Sequence, residues 1–138
     1  MTVPSRLYRP SLALLTDFYE ITMAAAVWKS GLAAREAAFS LVYRTNPFGG
    51  GFAVAAGLEH AVDLVEHLRF EADDLAFLAE QTGADGERLF DPAFLEYLGR
   101  LAFDVDVDAI PEGTVVFPQE PLVRVAGPVI PAMLVESA

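Results

Sequence analysis

Three consecutive glycines, Gly49–Gly51, stand between two apolar runs, and no other stretch limits the possible fold of this chain as much. Ala38–Tyr43 reads as a strand. Arg44, Thr45, Asn46, Pro47 and Phe48 lead into the glycines, Phe52–Ala56 reads as a second strand, and Gly57 opens a helix-like pattern. Glycine reaches φ > 0 and lets backbone or ligand approach closely, at a cost in ordering entropy that three in a row multiply. Two readings fit this stretch. One is a tight connection between paired strands. The other is a loop that presents backbone N–H groups and Arg44 to an anion. No G-x-G-x-x-G opens a helix here and no Gly-Lys-Ser/Thr follows, so neither a dinucleotide fingerprint nor a P-loop is present.

The flanking pattern predicts an α+β chain. Residues 1–10 read as an extended arm with two prolines. A helix begins at Thr16-Asp17, with Asp17 as cap and Glu20 in capping-box position. Phe18, Ile21, Ala25 and Trp28 form its apolar stripe, Lys29 suits the C-terminal dipole, and Gly31 ends it. A second helix runs from about Gly57 with Leu58, Ala61, Val62, Val65 and Leu68 in period. A third covers Ala72–Glu80. Asp91-Pro92 starts a fourth, because a cap residue is followed by proline at the first helical position. The period then becomes two: Phe103, Val105, Val107 and Ala109 alternate with Asp104, Asp106 and Asp108, as in a half-wet strand. Pro111-Glu112-Gly113 turns the chain, and Thr114–Phe117 and Leu122–Ala126 read as further strands. An apolar helix-like pattern starts at Val129 and runs to Ser137, with no cap and no polar tail to close it.

Composition narrows the chemistry. The formal net charge is −11, from 20 acidic and 9 basic residues, which argues against nucleic acid or an anionic membrane surface as main partner. A small anion needs only a local basic patch and stays possible. Cysteine is absent, so thiolate chemistry is excluded. No signal peptide and no bilayer-spanning run is legible, and a cytoplasmic location is expected. The three aspartates of 104–108 would stand about 6.6 Å apart along one strand face, too far for all to grip one ion. His60 and His67 lack a third ligand, so no metal site is expected. No Ser/His/Asp set can be assembled. The rhythm of the last third is similar to that of biotinyl and lipoyl carrier modules, but these need a lysine at a hairpin tip. Lys29, in a helix, is the single lysine.

Three motifs in order carry a resemblance. They are Leu14-Leu15-Thr16-Asp17-Phe18-Tyr19-Glu20 with Thr22-Met23; Tyr43-Arg44-Thr45-Asn46-Pro47-Phe48-Gly49-Gly50 through Ala56-Gly57-Leu58; and Ile110-Pro111-Glu112-Gly113 with Phe117-Pro118, Pro121-Leu122 and Gly127-Pro128. Leu134–Ser137 follows where a further helix should continue. The chain resembles the N-terminal part of nicotinate phosphoribosyltransferase. Phe18 and Tyr43 depart mildly from that pattern.

The resemblance implies an α+β fold with a small mixed or antiparallel sheet and packed helices, the N-terminal domain of a type II phosphoribosyltransferase without its α/β barrel. It implies a domain over 1–128 and, at 129–138, the start of a truncated barrel-domain helix. The implied reaction joins nicotinate to phosphoribosyl pyrophosphate, coupled to ATP and with Mg²⁺, to give nicotinate mononucleotide in NAD salvage. The family's phosphorylated histidine lies in the barrel, so no catalytic residue carries over and the isolated chain is expected to be inactive. Subunits of the family pair head to tail. By that resemblance Tyr19 stacks on nicotinate in trans, Arg44 faces phosphate or pyrophosphate, and Asp17 supports them. A homodimer or a barrel-domain partner is therefore expected. The contrasting reading is a non-catalytic dimerisation or regulatory module that keeps the family's N-terminal fold. An apolar 129–138 segment cut off in mid-pattern would then expose surface and drive association.

Overall fold

The computed structural model describes residues 11–136. The expected extended arm of residues 1–10, and residues 137–138, lie outside them. Among the described residues five α-helices and five strands follow one another. Helix α1, Phe18–Lys29, precedes strand β1, Glu36–Leu41; a 3-10 turn, Pro47–Gly49, precedes β2, Ala53–Val54. Helices α2, Leu58–His67, α3, Ala72–Ala79, and α4, Pro92–Gly99, come next. Then come β3, Asp106–Ala109, β4, Val115–Val116, β5, Val123–Pro128, and α5, Val129–Leu134. Among the described residues no helix is long and apolar enough to cross a membrane.

The elements start and stop where local chemistry tells them to. Asp91 caps α4 by accepting 2.8 Å from Ala93 N–H, with Pro92 at the first helical position. α1 closes in a Schellman motif: Gly31 N–H donates to Trp28 O and Leu32 N–H donates to Val27 O. Gly31 sits at φ +73°, a conformation that glycine adopts without steric cost. α3 is opened by Asp74, whose carboxylate accepts 2.9 Å from Glu71 N–H.

Two small antiparallel sheets carry the strands. In one, β5 lies between β1 and β3, with Glu36 opposite Pro128 and Val107 opposite Val125. In the other, β2 pairs β4, with Ala53 opposite Val116. The hydrophobic core sits among the helices rather than under the sheets. Ile21, Ala24, Leu78, Phe94, Leu98, Ile130, Met133 and Leu134 are buried together, and Trp28, Phe90, Phe94 and Tyr97 form a chain of ring contacts. Of the expected α1 stripe, Ile21 is fully buried and Ala25 and Trp28 pack against the core partly buried.

Several expectations change. β1 and β2 do not pair with each other, so the glycine stretch crosses between two sheets and is not a hairpin connection. β1 ends at Leu41 instead of Tyr43, because the β4–β5 turn folds over its end: Leu122 N–H donates to Leu41 O and Gln119 N–H to Tyr43 O. The buried face of α1 is centred on Ile21 and Ala24 and includes Glu20, while Phe18 remains largely exposed. Asp17 holds the N-cap position without a side-chain cap bond, and Glu20 accepts from Thr16 Oγ1–H instead of reaching back to the cap. The apolar segment from Val129 is not exposed in its described part. Ile130–Leu134 is buried throughout, because α5 packs between α1 and the sheet strands β1 and β5.

The two candidate surfaces

The first candidate surface is the opening turn of α1. One side of that turn is locked. Glu20 is buried and takes a hydrogen bond from Thr16, four residues before it, as a buried carboxylate must be partnered. The other side is open. Tyr19 is 50% exposed and Met23, one turn on, is 47% exposed. The second packed face that would have made Tyr19 a structural residue is therefore not closed by the described residues. Its phenol sits in an acidic setting. Glu136, just past α5, then partial burial, then Glu20 and Asp17, raise its pKa above the ordinary tyrosine value. The hydroxyl stays protonated and the ring neutral at physiological pH.

The second surface is the loop from Arg44 to Phe52. Arg44 is exposed, and among the described residues it joins no ion pair. Its backbone is held: Gln119 Nε2–H donates 3.3 Å to Arg44 O. Tyr43 Oη lies 2.8 Å from Val116 O and 3.0 Å from Asn46 Oδ1, so its one proton can serve either. Burial, with the Glu120 carboxylate, raises that hydroxyl's pKa and keeps the proton in place.

Of the three glycines, Gly49 alone needs the left-handed region, at φ +68°. Phe48 adopts φ +56° without being glycine, and its ring is wholly exposed. Such a residue stores strain, and strained, exposed positions concentrate at binding sites. The loop thus offers a cation, glycine backbone and a protruding aromatic ring, while the paired-strand alternative falls because β1 and β2 lie in different sheets.

A third feature was not foreseen. Gly57 and Leu58 N–H both donate to Glu112 Oε1, at 2.8 and 2.7 Å. The helix N-terminus of α2 is thereby filled by an internal carboxylate. The sequence signal was present in Pro111-Glu112-Gly113, which had been read only as a turn. No hydrogen bond or ion pair joins Arg44 to Tyr19, so the structure does not bring the two candidates into one contact. Among the described residues no three of His, Asp or Glu stand where they could share a metal ion. β3 begins only at Asp106, so Asp104 precedes the strand; Asp106 and Asp108 lie on the wet sheet face, where Asp108 pairs with Arg124 directly across the strand at 3.0 Å.

Comparison with known proteins adds an independent line. Residues 14–138 match the family described as the nicotinate phosphoribosyltransferase N-terminal domain. The nicotinate phosphoribosyltransferases of Homo sapiens and Bos taurus are each 43% identical to this chain over 125 residues, and so is nicotinate phosphoribosyltransferase 2 of Arabidopsis thaliana. These matches cover 90% of this chain and 22% of each relative, so the chain spans about a fifth of their length. The crystal structure of human nicotinic acid phosphoribosyltransferase superposes with a TM-score of 0.77 at 43% identity, over 89% of this chain and 24% of the other.

Proposed function

The chain belongs to the nicotinate phosphoribosyltransferase family, as its N-terminal domain, and from that premise we infer that it serves the joining of nicotinate to phosphoribosyl pyrophosphate. The product is nicotinate mononucleotide, an intermediate of NAD salvage, and the cytoplasm is the compartment this reading implies. Within it, residues 1–128 are the N-terminal domain and 129–138 open the helix that leads into a barrel. Mg²⁺ and ATP belong to the complete enzyme. The described residues include no group of three His, Asp or Glu fit to hold the metal.

The ribosyl C1 becomes oxocarbenium-like as pyrophosphate leaves, so the chemistry needs phosphate clamps and a pyridine held in line. This chain supplies a share of both. Tyr19 places a neutral ring against the electron-poor pyridine in a neighbouring subunit, and Asp17 supports that turn. Arg44 offers its guanidinium fork to phosphate oxygens. The observation that carries this reading is the half-exposed Tyr19 ring, on a helix whose opposite side is fully buried.

In the complete dimeric enzyme Tyr19→Ala should raise the nicotinate KM about tenfold, the equivalent of about 1.4 kcal/mol of stacking and burial. Tyr19→Phe should change it little, because stacking uses the ring. Mixing Tyr19→Ala subunits with subunits damaged only in the barrel should restore one working site per dimer. An unchanged KM for Tyr19→Ala would remove Tyr19 from the site. No recovery on mixing, with subunit exchange confirmed, would remove its action in trans.

A non-catalytic module that keeps the family's N-terminal fold is the second reading. A barrel encoded with this chain would exclude it.

A further inference from the structure

One short segment, Pro111–Leu122, touches both ends of the Arg44–Phe52 loop. At the entry side Leu122 N–H donates 2.8 Å to Leu41 O, and Gln119 N–H donates 2.9 Å to Tyr43 O. Gln119 Nε2–H reaches Arg44 O, and Tyr43 Oη–H reaches Val116 O. At the exit side β4 pairs β2, and Ala55 exchanges two bonds with Thr114 O and Gly113 N–H, both at 2.9 Å. Glu112 then ties Gly57 and Leu58. Between these anchors the loop's own bracing is slight: Gly50 N–H donates to Pro47 O, and Asn46 Oδ1 is the alternative acceptor for the Tyr43 hydroxyl proton.

α2 makes Glu112 more than a helix cap. Gly57 brings no capping side chain, and α2 buries no residue fully along its length. Its position therefore rests heavily on the two N–H bonds that Glu112 accepts. A carboxylate oxygen accepting two backbone donors is a strong, charge-assisted anchor. Tyr43 is the matching anchor at the other end, since it is half-buried and its hydroxyl spans the strap and the loop.

We propose that Pro111–Leu122 is a strap that fixes the span of the Arg44–Phe52 loop, with Glu112 and Tyr43 as positioning residues that hold Arg44 for a phosphate-bearing anion. This assignment rests on the reading of Arg44 as an anion ligand. The second and third sequence motifs, far apart along the chain, then form one mechanical unit. The strap closes the loop into a fixed opening, and the anion meets a guanidinium already set at its rim.

The test uses the chain of 138 residues and its Glu112→Ala, Glu112→Gln, Tyr43→Phe and Arg44→Ala variants. Amide hydrogen exchange is read at residues 44–58 and, as reference, in the buried α4. Inorganic pyrophosphate is titrated while the Arg44 and glycine resonances are followed. Glu112→Ala should speed exchange at Gly57, Leu58 and the loop about tenfold, with α4 unchanged. Glu112→Gln, which keeps an acceptor oxygen, should restore most of the protection. Tyr43→Phe should loosen Asn46–Phe48. Both loosened variants should bind pyrophosphate several-fold more weakly while Arg44 is still present. Loop exchange that is unchanged in Glu112→Ala and Tyr43→Phe would overturn the strap. Exchange that rises equally in α4 would make the two residues general stabilisers and overturn it as well. Pyrophosphate binding that is absent, or unaffected by Arg44→Ala, would instead overturn the anion reading beneath it and the positioning role with it.

Discussion

At the scale of single residues, the acidic setting of Tyr19 gives a measurable signature. Glu136 contributes most to holding its phenol above the ordinary tyrosine pKa of about 10. The raised folded-state value means that folding favours the protonated ring. That contribution is complete below the unfolded pKa and is lost as pH rises through the folded one. Glu136→Gln should therefore move the Tyr19 titration down toward the ordinary value, and Glu20→Gln should move it less. Ultraviolet difference titration against Tyr19→Phe isolates the signal, and an unmoved midpoint in Glu136→Gln would contradict the proximity. The exposure of Tyr19 follows from its place across the helix from Ile21 and Ala24. Glu20 was misjudged from the sequence. A charged residue three places after a cap looks like a capping partner, and nothing local shows that tertiary packing buries it against Thr16 instead.

At the scale of elements, termini were legible and pairings were not. Asp91-Pro92, and Lys29 with Gly31, are local instructions, and the structure follows them in α4 and α1. Gly31→Ala should lower stability by about 1–2 kcal/mol, since a Cβ at φ +73° meets the cost of the left-handed region. Urea unfolding would check this, and a change below about 0.3 kcal/mol would show that the Schellman turn can rearrange. The glycine stretch was harder. Whether flanking strands pair with each other depends on partners elsewhere, here β5 and β4, and no periodicity within the stretch encodes that. The same holds for Glu112, whose partners lie more than fifty residues earlier. An all-round apolar run such as Ile130–Leu134 reads equally as an exposed interface or a buried helix. The structure makes it the latter.

At the scale of the whole molecule, the exposed apolar surface has moved from α5 to the β2–β4 ribbon. Val54 and Val115 stand opposite each other, Phe52 and Phe117 flank them on the same face, and all four are about half-exposed. The ribbon's other face holds the buried Val116. A ribbon so short gains little from its own ladder and is steadied by cover on the open face. This tile, rather than the described part of the terminal segment, is the exposed apolar surface from which self-association of the chain would draw. Phe52→Ser with Phe117→Ser should reduce concentration-dependent association in sedimentation while shifting the unfolding free energy by less than about 1 kcal/mol. Association that persists unchanged would send the search to Leu15, Tyr19 and Met23.

The central place of β5 bears on how the molecule is born. The ribosome makes β1 first and β3 much later, and the strand that must lie between them is made after both. α5, the most completely buried helix, comes later still. Until that stretch leaves the exit tunnel, β1 has no ladder and α1 lacks the helix that packs against it. Nascent chains arrested before Val123 should thus be open to proteases and to chaperones, and those arrested far enough beyond Glu136 to free α5 should resist them. For this domain, vectorial synthesis delays closure to nearly the last residues described.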